Sequence, residues 1–132
     1  MTPSSANRTT VTAPDAPAAI GPYSHAVSYD GLLYCSGALP LDPESGELVT
    51  ESAGAETTQC LENLAAICRA AGAELSQALR LTVYTTRLET FAEINDAYAA
   101  FFAEEPPARV AIGVAALPKG ADIEIDAVVA LG

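Results

Sequence analysis

Residues 106–130 read PPARVAIGVAALPKGADIEIDAVVA, and two alternating runs within them decide the fold. In the first, Ala108 to Val114, residues Arg109, Ala111 and Gly113 share one face, and Val110, Ile112 and Val114 share the other. In the second, Ile123 to Val129, Glu124 and Asp126 alternate with Ile123, Ile125 and Ala127. A period of two predicts a strand in each run, because successive strand side chains point to opposite faces. Pro106-Pro107 ends the element before them, and Pro118-Lys119-Gly120 is the turn that separates them.

Working back along the chain, the period lengthens. Thr90 to Ala103 places Phe91, Ile94, Tyr98 and Phe101 or Phe102 on one stripe, which predicts a helix, with Thr90 and Glu93 spaced as a capping box. Leu79 to Thr86 holds Leu81, Val83 and Tyr84 among threonines and reads as a strand. Residues 52–71 return to helical spacing through Cys60, Leu61, Leu64, Ile67 and Cys68, and Gly72 fits a C-terminal cap. Pro40 to Gly46 is a loop. Asp30-Gly31 sits between the apolar-rich runs Tyr23 to Tyr29 and Leu32 to Ser36, a strong hairpin signal. Residues 1–12 form a partly ordered arm, with a short edge strand near Thr9 to Thr12, and residues 13–132 are expected to make a single domain.

Two helices and five or six strands in that order predict a two-layer α/β (α+β) sandwich with both helices on one sheet face. The other face keeps valine and isoleucine from the last two strands. It is expected to be buried against further copies of the chain.

Composition narrows the function classes. Among 132 residues, six are basic and seventeen acidic, for a formal net charge of -11. The basic residues are scattered singly, whereas a phosphate-backbone binder needs them clustered, so nucleic acid is disfavoured as a partner. Cys35, Cys60 and Cys68 lie in apolar surroundings without a CxxC pair and read as small buried hydrophobes. With the single histidine His25 there is no zinc-binding set. Phosphate loops and paired metal carboxylates are also missing, so the expectation is no cofactor and no metal. No apolar run is long enough for a membrane span, and the N-terminus has no hydrophobic signal core, which makes cytoplasmic residence the expectation.

Few residues are left to carry chemistry. Arg109 stands between rigid prolines and the small neighbours Ala111 and Gly113, which leaves room for its forked donors to take a carboxylate. It also reads as one half of an ion pair at a subunit edge, and spacing alone favours that plainer role. Glu124, among strand isoleucines, fits a half-buried acid that holds a water or passes a proton. A charge on an edge strand fits the same pattern. Tyr23 could cap a small pocket, Ser36 ends a strand at a turn, and Asn95 flanks the stripe of the second helix; each has a structural role as its simpler reading. Ser36 lacks a nucleophile elbow. His25 alternates with Tyr23 onto one strand face and, without a partnered acid or serine, reads as structural.

These residues carry a family resemblance. From about Ala13 to Leu131 the chain resembles the YjgF/YER057c/UK114 (Rid) family of enamine/imine deaminases. The match is most specific over Pro107-Ala108-Arg109 to Val114, Leu117-Pro118-Lys119-Gly120 and Ile123-Glu124-Ile125. Gly21-Pro22-Tyr23, Ser36-Gly37 and Phe91 to Phe102 extend it. The resemblance implies a chorismate-mutase-like fold, a mixed sheet with two helices on one face. It also implies a homotrimeric barrel with clefts between subunits. It implies cofactor-free hydrolysis of imine and enamine acids such as 2-aminoacrylate, 2-iminobutanoate and 2-iminopropanoate to 2-oxo acids and ammonia. Arg109 would clamp the substrate carboxylate with the backbone N–H of Ala111, Glu124 would position or activate water, and Tyr23, Ser36 and Asn95 would line the pocket. Ala111 stands where many relatives have Cys, Ala38 stands where Gln is usual, and the loop from Phe102 to Arg109 is short. The rival readings are a trimeric protein that holds a small carboxylate without turning it over, a ribonuclease, and a pathway-specific hydrolase of a larger imine.

Overall fold

The computed structural model describes residues 7–132; of the predicted N-terminal arm, residues 1–6 lie outside the described part. Six strands form one sheet: β1 (Thr9–Val11), β2 (Ala26–Tyr29), β3 (Leu32–Ala38), β4 (Ala78–Thr85), β5 (Ala108–Gly113) and β6 (Ile123–Ala130). Two helices, α1 (Ala53–Ala70) and α2 (Phe91–Ala99), complete the fold.

The strand order is β1-β2-β3-β6-β4-β5. All neighbours are antiparallel except β4 and β5, which run parallel. The sheet is therefore mixed. Its last two strands in sequence are not neighbours, because β4 lies between them. The parallel pair β4 and β5 is joined through α2, as a parallel crossover requires.

Local chemistry explains most boundaries. Asp30 and Gly31 both take positive φ, 52° and 81°, the geometry that a two-residue hairpin turn demands. Ser52 caps α1 by accepting the Ala55 N–H at 3.0 Å. Gly72, at φ 79°, ends it. Ala73 N–H donates to the Cys68 carbonyl and Gly72 N–H to that of Arg69, which satisfies carbonyls the helix leaves open.

Three expectations need correction. The capping box at Thr90 does not form, since its hydroxyl donates to the Arg87 carbonyl. Glu93 instead accepts the Gly54 N–H at 2.8 Å, so an acid of α2 caps the N-terminus of α1. The free N–H groups there attract a carboxylate from any direction, and the tertiary donor won over the local one. The helix α2 also ends at Ala99 and not at Ala103. Lastly, the second strand begins only at Ala26, and Tyr23 and His25 share no strand face: Tyr23 is 45 % exposed and His25 9 %.

The core lies between the sheet and α1. Leu33, Leu81, Val83, Ile123, Ile125 and Val129 project from the sheet against Leu61, Leu64 and Ile67 of α1, and all are buried. Cys35, Cys60 and Cys68 are free thiols buried in this layer, as their apolar settings predict. Thiol-to-thiol hydrogen bonding and burial push Cys35 up, while the same contact lowers Cys68. On the opposite sheet face Val110 and Ile112 are 48 % and 46 % exposed, and Tyr34 is exposed on that same face with β6 and β4 between. No helix is long and apolar enough to cross a membrane among the described residues.

Candidate active site

The predicted site residues fall into two groups on opposite sides of the sheet. Arg109 pairs in register with Leu81, and Leu81 with Ala127, both buried under the helices. Residues directly paired across a sheet share a face, so Arg109 projects toward the helix layer. There its guanidinium carbon lies 5.3 Å from the centre of the Phe91 ring and 4.9 Å from that of Tyr98. Its Nη1 donates to Asn95 Oδ1 at 2.7 Å. Phe91, Asn95 and Tyr98 are spaced i, i+4, i+7, which puts them on one face of α2 as a bed for the cation. Ala111, two residues on, points the same way and is half-buried.

A groove of about 500 Å³ opens beside the guanidinium, between Ala99, Phe102 and the two prolines Pro106 and Pro107. The ion pair among the described residues is Arg87 with Glu89. Among the described residues no carboxylate pairs with Arg109, so the intrachain form of its plainer role is absent there. Tyr98 is 6 % exposed and its hydroxyl has no hydrogen-bond partner among the described residues. Burial pushes that phenol up, and the Arg109 charge pulls the other way.

Glu124 stands on the other face. It pairs with Tyr84, which pairs in turn with the exposed Ile112. Glu124 borders a cleft of about 340 Å³ with Tyr23, Ser36, Gly37, Leu39 and Pro118. Burial holds its carboxyl above the ordinary carboxylate range, and the nearby Asp126 charge adds to the shift. Asp126 accepts the Tyr84 hydroxyl at 3.0 Å, so it is tied down while Glu124 faces the cleft.

Ser36 lies where the register of β3 against β6 slips, between Cys35 and Ala38. Its hydroxyl donates to the Ser24 carbonyl at 2.6 Å, which commits the proton and leaves an acceptor oxygen. Gly37 fills this irregularity for a steric reason: a Cβ there would overlap the Glu124 carboxylate. Tyr23 accepts the Ile20 N–H at 3.3 Å and stands half in solvent at the cleft mouth. His25 has a structural task. Its Nδ1 accepts the Ala13 N–H at 2.9 Å and its Nε2–H donates to the Pro17 carbonyl at 2.8 Å, fastening residues 13–17 over the core.

One chain therefore brings Tyr23, Ser36 and Glu124 together, and separately Asn95, Ala111 and Arg109. It does not bring the two groups together. Sequence reasoning missed Gly37 as a spacing residue and Phe91 and Tyr98 as the bed of Arg109. Their i, i+4, i+7 spacing with Asn95 was available as a signal but read first as core. Among the described residues no group of three or more His, Cys, Asp or Glu side chains is gathered to hold a metal ion.

Comparison with known proteins gives concordant likenesses. The model of the family described as Endoribonuclease L-PSP matches residues 13–131. A RutC family protein, y4sK, of Sinorhizobium fredii is 50 % identical over 117 residues, covering 89 % of this chain and 93 % of that one. A 2-iminobutanoate/2-iminopropanoate deaminase of Bos taurus is 43 % identical over 129 residues, covering 98 % and 94 %. The crystal structure of RidA from the Antarctic bacterium Psychrobacter sp. superposes with a TM-score of 0.89 at 42 % identity, covering 93 % of this chain and 99 % of that one.

Proposed function

The chain belongs to the YjgF/YER057c/UK114 family, and from that premise we propose that it is a cofactor-independent hydrolase of small imine and enamine acids. The observation that carries the reading is the division of the site. An un-neutralised guanidinium on one sheet face and a cleft with a raised carboxyl on the other are each half of a hydrolytic site. Two chains placed side by side complete it.

In this reading residues 13–132 act as one domain. Three copies close their open sheet faces into a central barrel, which covers Val110, Ile112 and Tyr34 and sets the Arg109 of one protomer opposite the Glu124 of its partner. The bound acid places its carboxylate on Arg109 and the backbone N–H of Ala111. Asn95, Phe91 and Tyr98 hold the guanidinium still, so orientation as well as affinity comes from it. Tyr23 and Ser36 line the remaining wall.

Glu124 takes a proton from water as the oxygen adds to the imine carbon. A carboxyl raised by burial is a stronger base than an ordinary one, and suits this role. The tetrahedral adduct then loses its C–N bond. Nitrogen leaves as ammonia with the protons it needs, and the carbon is left as the ketone of a 2-oxo acid. Neither oxidant nor reductant takes part. An enamine enters the same route after a proton moves to its β-carbon. The acidic balance of the chain, -11, disfavours an RNA backbone as its main partner.

The test supplies 2-aminoacrylate in place from a dehydratase. Release of pyruvate and ammonia faster than the enzyme-free decay is the expected result. An unchanged rate, with the carboxylate bound, would leave a binding protein in its stead.

A further inference from the structure

Apart from the main core, Leu39, Leu41 and Ala121 form a small apolar cluster of their own, with Leu48 and Leu117 packed against it. Two segments meet there: 39–49, beyond the end of β3, and 117–121, before the start of β6. They carry Leu39 and Pro118, two walls of the Glu124 cleft. So few buried side chains remove little apolar area from water, and the cluster needs a further hold on the body of the fold.

Backbone bonds close 39–49 on itself. Leu41 N–H donates to the Leu39 carbonyl at 2.8 Å, Asp42 N–H to that of Glu47 at 2.9 Å and Val49 N–H to that of Pro40 at 2.8 Å. A side chain of α1 supplies the tie to the rest of the protein. Asn63 is buried, and its amide nitrogen donates to the carbonyls of Leu39 at 3.0 Å and Leu41 at 2.9 Å. Both amide protons are spent on this one segment. The Asn63 oxygen accepts the Gln59 amide at 3.0 Å from one turn earlier, which sets the orientation of the amide. Cys60, three residues before Asn63, directs its thiol to the Ile123 carbonyl at 3.8 Å, next to Glu124.

Without the Asn63 donors, two carbonyls of buried residues lose their partners. They regain partners by moving toward water, and Leu39 moves with them. Ala38 pairs with Ile125, so Gly37 and Leu39 flank the strand pairing beside Glu124. A shift there opens the cleft wall and loosens the seat of the carboxylate against Gly37.

Resting on the hydrolase reading above, we propose that Asn63 is a positioning residue for Glu124, anchoring through two carbonyls the segment that walls its cleft. Arg109 is seated by Phe91, Asn95 and Tyr98 of α2 and not by this segment, so the anchor bears on the Glu124 half of the site.

The test uses Asn63→Leu, which keeps roughly the side chain's volume and removes both donors. With 2-aminoacrylate generated in place, kcat should fall by roughly 100-fold, the scale of a misplaced catalytic group, while KM changes far less. Reassembly with two other inactive variants then locates the defect. Mixed in equal amounts with Arg109→Ala, Asn63→Leu should regain about one quarter of native activity, because its chain still supplies a sound Arg109 half. Mixed with Glu124→Gln it should regain none, since both chains then lack the same half. A chain that is merely destabilised would rescue neither partner; that result, rescue of Glu124→Gln, or a native kcat each overturns the proposal. If Asn63→Leu fails to assemble, Asn63→Ser, with one hydroxyl proton for two carbonyls, takes its place and should give the same pattern at smaller amplitude. Amide hydrogen exchange separates this claim from the hydrolase reading. Exchange at Leu41 and Val49 should quicken in the variant, and unchanged exchange overturns the anchor. A native protein without turnover overturns the hydrolase reading, and the anchor then stands or falls on exchange.

Discussion

Arg109 and Glu124 project from opposite faces of one sheet, with β4 between their strands. On the proposed hydrolase reading, a substrate that touches both is held between two copies of the chain. This predicts complementation. Arg109→Ala and Glu124→Gln should each be inactive alone. Trimers reassembled from an equal mixture should regain about one quarter of native activity, because a site needs one intact residue from each of two randomly chosen neighbours. Mixed particles that stay inactive would place both residues in one chain's site.

Arg109 owes its position to α2. Arg109→Lys keeps the charge but loses the fork that Asn95 and a carboxylate share, and kcat/KM should fall by roughly 100-fold, the scale of a misplaced binding group. Asn95→Ala should move in the same direction by less. Steady-state kinetics beside sedimentation of each variant would check that the assembly is retained.

Tyr98 lies with its ring beneath the guanidinium and its buried hydroxyl unpartnered among the described residues. Removing that oxygen should be neutral or stabilise the fold by up to about 1 kcal/mol, since a desolvated group without a partner is a cost. Tyr98→Phe thus tests the orphan oxygen, and Tyr98→Ala, which takes away the ring, should cost about 3–5 kcal/mol as other buried aromatics do. Urea unfolding of the two variants separates the effects.

Gly37 leaves the space that the Glu124 carboxylate fills. Gly37→Ala should displace that carboxylate and lower kcat strongly while the melting temperature changes little, because the obstructed atom is the end of a flexible side chain. A variant of native activity would show that Glu124 works equally well from another rotamer.

The raised Glu124 carboxyl has a pH signature. Its folded value lies above the ordinary 4.5, so the stability linked to the proton is complete below 4.5 and declines as pH rises through the folded value. Glu124→Gln, which never ionises, should therefore be more stable than the native protein near neutral pH and lose that advantage in acid. Chemical unfolding of both proteins across that range gives the difference directly.

The sequence by itself determined the elements and their faces. Alternation in residues 108–114 and 123–129 placed Arg109 apart from Val110 and Glu124 apart from Ile125, and the strands carry those faces as read. Asp30-Gly31 and Gly72 marked a hairpin and a helix end, because few residues accept positive φ. The buried cysteines and the structural histidine were legible for the same reason: burial follows from local chemistry. Only the tertiary structure decided that β4 separates the last two strands and that Glu93 caps the other helix. It alone seated Arg109 on Phe91 and Tyr98, and Gly37 against Glu124. Those are contacts between segments far apart in the chain. Spacing along a strand fixes which way a side chain points, but what it meets depends on which strands and helices pack beside it.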